Sequence, residues 1–226
     1  MYTTFINANS QSCKVVRPGR SFLSRLIARA NSVSHLHYNI RVNAEMRRDC
    51  RIWLKFLDEW NGRALFLSDL NADEEVFLTD AAGGWGYGGF FDGRWFSCRW
   101  SSNQLGWDIV AMELYPILIS VDLWGHLWKG KCLVVRCDNL PTVAAVNKAY
   151  SKIPVISDML RVIMFLSLRH NFHMKAVHVS GKFNIISDSL SRLQVERFRQ
   201  LAPAANPEPC TITRDPLKLC EELFVR

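Results

Sequence analysis

Residues 178–192 read HVSGKFNIISDSLSR: a histidine, a polar turn around Gly181, an asparagine, and an aspartate where the pattern becomes helical. Asn184 or Ser187 can serve as the helix N-cap, and Ile186, Leu190, Leu193 and Leu201 fall near the spacing of one buried face. Taken alone, Asp188 needs no role beyond its favourable place at the positive end of the helix dipole. What it does therefore depends on which groups the rest of the chain brings to it.

Working back from this stretch, FHMKAVHVS is a strand, Pro154 to about His170 a long helix, PTVAAVNKAY a short helix, and KCLVVRCDN a strand closing on Asp138. WDIVAMELYPILISVDLWGHLW is a long apolar helix in which Pro116 predicts a kink or a shifted start. VFLTDAA is a β-rich run ending around Asp80, and GGWGYGGFFDGRWFSCRW predicts two further strands about an Asp92-Gly93 turn. Glycines 84, 86, 88 and 89 are interleaved with large aromatics and no helix follows them, so a hairpin explains them better than a dinucleotide loop. The succession β-β-β-α-β-α-α-β-α predicts an α/β fold with a five-stranded mixed sheet and helices on its faces.

Outside this domain, placed at residues 70–201, lie a helical extension at 1–69 and a Pro/Ala-rich linker and tail at 202–226. In the extension, Phe22, Leu23, Leu26 and Ile27 share one helical face, and Met46, Cys50, Trp53, Leu54 and Leu57 share another, with Asn61 and Gly62 as a stop. The chain's net charge of +7 is concentrated there: residues 1–51 hold nine Arg/Lys against Glu45 and Asp49, and the remainder is balanced. A basic segment of this kind suits a polyanion such as nucleic acid, or a solvated helical face.

With 49% apolar and 12% aromatic residues in 226, the composition is that of a globular protein with a substantial core. The sequence predicts neither a signal peptide nor a transmembrane segment, hence a soluble intracellular protein, cytoplasmic or nuclear, with no membrane partner. Seven scattered cysteines with no C-x-x-C pair suggest free thiols, and the pairs His35/His37 and His170/His173 lack partners at metal-ligand spacing.

Four acids fall where elements meet one edge of the expected sheet: Asp80 and Asp138 at strand ends, Glu113 in the apolar helix, Asp188 at a helix start. If the first and fourth strands are parallel neighbours, Asp80 and Asp138 share a rim. Unpaired carboxylates in such apolar surroundings would be costly, and a divalent ion resolves the cost. All-oxygen ligands suit Mg²⁺ or Mn²⁺, and acids holding two such ions form an apparatus for phosphodiester displacement.

The set TDAA, MELYPIL, RCDN and HVSGKFNIISDSLSR, in this order, resembles the ribonuclease H domain of reverse transcriptases, and the run ELYPILISVDLWGHLWKGKCLVVRCDN with RHNFHMKAVHVSGKFN after it is most similar to that of DIRS-like retrotransposons. The last stretch is similar to the His-Val-Pro-Gly-x-x-Asn-x-x-Ala-Asp-x-Leu-Ser-Arg ending of retroelements. The resemblance spans about residues 70–200, and CKVVRPGRSFLSRLI with RIWLKFL more weakly resembles the region after the polymerase palm. Ala82, Ser180 and Ser187 depart from the usual Ser, Pro and Ala, and no Tyr-x-Asp-Asp polymerase motif occurs.

The resemblance implies a ribonuclease H-like fold that cuts the RNA strand of RNA/DNA hybrids with two Mg²⁺ ions. Asp80 would bridge both ions, Asp188 complete the one that activates water, and Glu113 with Asp138 the one at the departing 3′ oxygen. His178, on the Gly181 loop, would shuttle protons or aid product release, and Asn184 would cap the helix and support the loop. Contacts to the 2′-hydroxyls and the minor groove would select the hybrid. Arg20, Arg25, Arg29 and Asn139 are candidate nucleic-acid contacts, and the polymerase domains of a reverse transcriptase are a candidate partner. The rival expectation is a catalytically silent binding or assembly module derived from such an enzyme.

Overall fold

The computed structural model describes residues 22–33, 41–59 and 75–219. Two helices come first, α1 (Ser24–Asn31) and α2 (Ala44–Glu59), followed by the strands β1 (Glu75–Ala82), β2 (Gly86–Phe91) and β3 (Arg94–Arg99) in an antiparallel meander. The β2–β3 turn is Asp92-Gly93, with φ of 47° and 77°, as the tight hairpin turn that continues strand twist requires. Beyond α3 (Ile109–Trp124), β4 (Cys132–Cys137) pairs in parallel with β1. α4 (Leu140–Lys148) and α5 (Pro154–His170) lead to β5 (His173–His178), parallel to β4, and α6 (Ile185–Ser191) and α7 (Val195–Leu201) follow.

The sheet order is β3-β2-β1-β4-β5, a five-stranded mixed sheet flanked by helices in the ribonuclease H-like arrangement. Strand alternation splits its side chains between two apolar clusters. Phe96 joins the large one with Phe77, Leu114, Ile117 and Leu160, whereas its neighbour Trp95 joins a smaller one with Leu190 and Phe198. α3 is buried almost all round, which is why its sequence is apolar without a polar face. Its start is set by Asp108, whose side chain accepts from the Val110 amide at 2.9 Å, and the helix continues through Pro116. With the 3₁₀ turn that follows, Ile109–Leu127 is long and apolar enough to cross a membrane, yet 72% of it is buried inside the fold.

α1 and α2, with the turn that leads into α1, bury Phe22, Leu23, Leu26, Met46, Ile52 and Trp53 in the large cluster. The buried stripe of α2 differs from the expected one: Leu54 and Leu57 are 62% and 48% exposed, and Asp49 is fully buried. The cause is Arg161 of α5, whose guanidinium bonds Asp49 and turns the helix toward it, while Arg25 lies 3.9 Å from the same oxygen. Burial pushes the Asp49 carboxyl up, to about 7, and the Arg161 guanidinium down. Arg20 and the Asn61–Gly62 stop lie outside the described residues.

The stretch read as a linker is anchored over residues 202–219. The amides of Asn206 and Cys210 donate to Gly93 O and Trp95 O at 2.8 and 2.7 Å, and Trp95 Nε1 donates to Asn206 O at 2.8 Å. Farther on, Arg214 pairs with Asp122, Tyr115 bonds Asp215, and Leu217 and Leu219 pack on the main core. At the opposite edge, the Asn147 side chain of α4 bonds both the amide and the carbonyl of Ala176 in β5.

Candidate active site

The register of β1 and β4 sets Leu78 opposite Arg136, so Asp80 and Asp138, two residues farther along each chain, emerge on the same rim. The parallel pairing that the shared rim required is therefore present. β5 places His178 opposite Cys137, and a ring nitrogen of His178 lies 3.1 Å from the Asp138 carbonyl oxygen. α3 brings Glu113 to this rim and α6 brings Asp188. The approach of α6 depends on Gly88 in β2, where a Cβ would stand 2.4 Å from Leu190 Cβ.

Asp80 is buried, and both of its carboxylate oxygens are held. Asn184 Nδ2 donates to Oδ1 at 3.3 Å and to Thr79 O at 3.1 Å, and Ser191 Oγ donates to Oδ2 at 2.5 Å. Burial raises the Asp80 carboxyl to about 6; Asp138 and Asp188 push the same way and the Ser191 hydrogen bond opposes them. Glu113 is 5% exposed, and burial, then the charges of Asp80 and Asp138, raise it to about 9. Asp80 thus feels the charges of Asp138 and Asp188, and Glu113 those of Asp80 and Asp138.

Asn184 occupies the N-cap position, as expected, but its side chain makes no capping bond. The amide instead turns to β1, where a buried carboxylate needs a donor more than the helix start needs an acceptor. Asp188 is a quarter exposed and pairs with Arg192 Nε at 2.6 Å and Arg197 Nη1 at 3.2 Å. Gly181 opens a 3₁₀ turn, Gly181–Phe183, and a Cβ there would lie 3.1 Å from Asp138 Oδ2, so this glycine keeps the loop close to the acid.

The expected nucleic-acid contacts do not join this group. Asn139 caps α4, its Oδ1 accepting from the Thr142 amide and hydroxyl at 3.0 and 2.9 Å. Arg25 pairs with Glu45, and exposed Arg29 reaches Ser32. Among the described residues no hydrogen bond or ion pair links either arginine to the four acids.

Sequence reading missed two neighbours. Ser191 follows Asp188 by three residues, a helical spacing that brings its hydroxyl back toward β1. Cys137 closes β4, and its Sγ lies 3.9 Å from Glu113 Oε2 and accepts from the Asn139 amide at 3.4 Å. Ligand atoms of Glu113, Cys137 and Asp138 lie within 4.8 Å of one another, a group that can hold a metal ion. The fit is chemical as well as spatial, because Glu113 is a buried carboxylate whose hydrogen-bond partner among the described residues is a thiol. No protein-family model, curated protein or solved structure matches the chain.

Proposed function

We propose that the chain is a ribonuclease H-type endonuclease of retroelement kind, hydrolysing the RNA strand of RNA/DNA hybrids with two Mg²⁺ ions, for which Mn²⁺ could substitute. The observation that carries this reading is the meeting of Asp80, Glu113, Asp138 and Asp188 on one rim, two of them buried and raised by burial and by the others' charges. The four carboxylates would hold the ions, which when bound supply Lewis-acid assistance to the attacking water and the departing oxygen of a phosphodiester.

The chain's own residues have separate tasks. Ser191 and Asn184 fix both oxygens of Asp80, so the carboxylate between the two sites cannot rotate away. His178, exposed beside the Asp138 backbone, is placed to carry a proton between the site and solvent. Arg161 is buried against Asp49 and cannot grip the duplex. Hybrid affinity then falls to the basic N-terminal segment or to the polymerase domains of a reverse transcriptase, and deleting residues 1–60 should weaken binding and reduce its salt dependence.

The decisive assay offers labelled RNA/DNA hybrid, duplex DNA and duplex RNA with Mg²⁺ to wild type and D138N. Cutting of the hybrid alone, lost in D138N, is the expected result; equal cutting by both proteins would overturn it. One observation favours a catalytically silent binding module instead: Arg192 and Arg197 already neutralise Asp188. Hybrid binding without cutting, at any Mg²⁺ or Mn²⁺ concentration, would establish that alternative.

A further inference from the structure

We propose that Glu113, Cys137 and Asp138 form a thiophilic cation site, which takes ions of the Zn²⁺ and Cd²⁺ class in preference to Mg²⁺ and thereby blocks the carboxylates. The binding site stands on its own geometry; only the blockade rests on the nuclease reading.

Three features support the site. The ligand atoms of Glu113, Cys137 and Asp138, two carboxylate oxygens and one sulfur, lie within 4.8 Å of one another. Glu113 is 5% exposed and directed at the sulfur, with no N–H or O–H donor reaching it among the described residues, so the thiol is its hydrogen-bond partner there and the carboxyl must either hold a proton or take a cation. Cys137 is itself fully buried at the end of β4, fixed by the strand on one side and the Asn139 amide on the other.

The donor set then selects the ion. Mg²⁺ is a hard cation that seeks oxygen and holds its water, so it gains nothing from sulfur. Zn²⁺ and Cd²⁺ bind thiolate strongly, and three protein ligands with a fourth position left to water is a common zinc arrangement. On binding, the Cys137 thiol and the protonated Glu113 carboxyl each release a proton to solvent, and a sulfur and a carboxylate lone pair form bonds to the metal, with no change of oxidation state. The ion so held occupies Glu113 and Asp138, two of the four acids that the nuclease reading assigns to Mg²⁺.

The full chain, kept reduced, is titrated with Cd²⁺ alone while the sulfur-to-cadmium charge-transfer absorption is followed, for wild type, C137S and D138N, each checked for folding by circular dichroism. Comparison with C137S separates Cys137 from the other six cysteines. The expected result is that C137S loses the tightest component of the band and its ratio of Cd²⁺ to Mg²⁺ affinity falls roughly 10- to 100-fold, at least the loss typical of an outer-shell partner. D138N keeps the thiol and should bind Cd²⁺ more weakly as well, which covers the case of a C137S protein that does not fold. A band of unchanged strength and affinity in either folded variant, or no band in wild type, overturns the site. The titration contains no nucleic acid, so its outcome is independent of whether the chain cuts hybrids. In the cutting assay, the Zn²⁺ concentration that halves Mg²⁺-dependent cleavage should rise by the same factor in C137S, and an unchanged concentration overturns the blockade.

Discussion

The Ser191 hydroxyl reaches from the last turn of α6 to Asp80 Oδ2 at 2.5 Å, so the helix that carries one acid also positions another. That hydrogen bond favours the ionised carboxylate and opposes the burial that raises Asp80 to about 6. Removing it in S191A should push Asp80 higher still. Because only the ionised form holds a cation, the acid limb of Mg²⁺-dependent hybrid cutting should move to higher pH, with more activity lost near pH 6 than near pH 8. A pH–rate profile that keeps its acid limb in place would refute the positioning role. The lost bond itself should cost about 1 kcal/mol of stability.

Glu113 gives a second pH dependence, with the opposite sign for the metal-free fold. Its carboxyl is raised from 4.5 to about 9, chiefly by burial, so between these values the folded chain holds a proton that the unfolded chain releases. Stability in chelator should therefore fall as pH rises through this window, and E113Q should flatten the dependence. Adding a divalent ion should reverse the trend, because binding expels that proton. Urea unfolding from about pH 6 to 9, with and without metal, measures both slopes.

The order of elements as far as β5, the Asp92-Gly93 turn and the strand-end positions of Asp80 and Asp138 were legible in sequence because each has a local signal: alternation, a turn dipeptide, or a strand ending in an acid; the parallel pairing of β1 and β4 stood only as a condition, and the single helix expected after β5 is two, α6 and α7. The burial of most of α3 also agrees with its apolar pattern. Cys137 was not legible as a site member, because its meaning depends on Glu113, 24 residues earlier on another element. Asn184 read correctly as a helix start, but its side chain answers Asp80, more than a hundred residues away. The α2 stripe was misplaced for a similar reason. Periodicity treats Asp49 as a solvent residue and cannot foresee that Arg161 buries it.

Gly88 provides a structural test. A Cβ at this position would meet Leu190 Cβ at 2.4 Å, whereas one at Gly84 meets nothing within 4 Å. G88A should force α6 off β2, costing about 1–3 kcal/mol, and should weaken metal binding by displacing Asp188. G84A should do neither. Thermal unfolding and Mg²⁺ titration of the two variants distinguish displacement of α6 from a general loss of glycine freedom.

The Asp49–Arg161 pair joins α2 to α5. Truncating either partner removes the nearest opposite charge from the other inside the core, so D49A or R161A should destabilise by up to about 3–5 kcal/mol. Replacing both with apolar residues of similar volume, as in D49L/R161M, should recover much of that loss. Chemical denaturation of the two single variants and the double variant checks this; an additive double variant would show that the pair is not energetically coupled.

Both outer strands of the sheet meet backbone-like partners from their own chain: the Cys210 amide bonds β3 and the Asn206 amide the turn before it, and β5 receives the carboxamide of Asn147. An open edge is a template on which another molecule can add a strand and begin an aggregate. Here the segment after α7 guards one margin and a single side chain the other. A version of the chain cut after Leu201 would keep its four acids while exchanging a self-limited sheet for one able to grow by self-association.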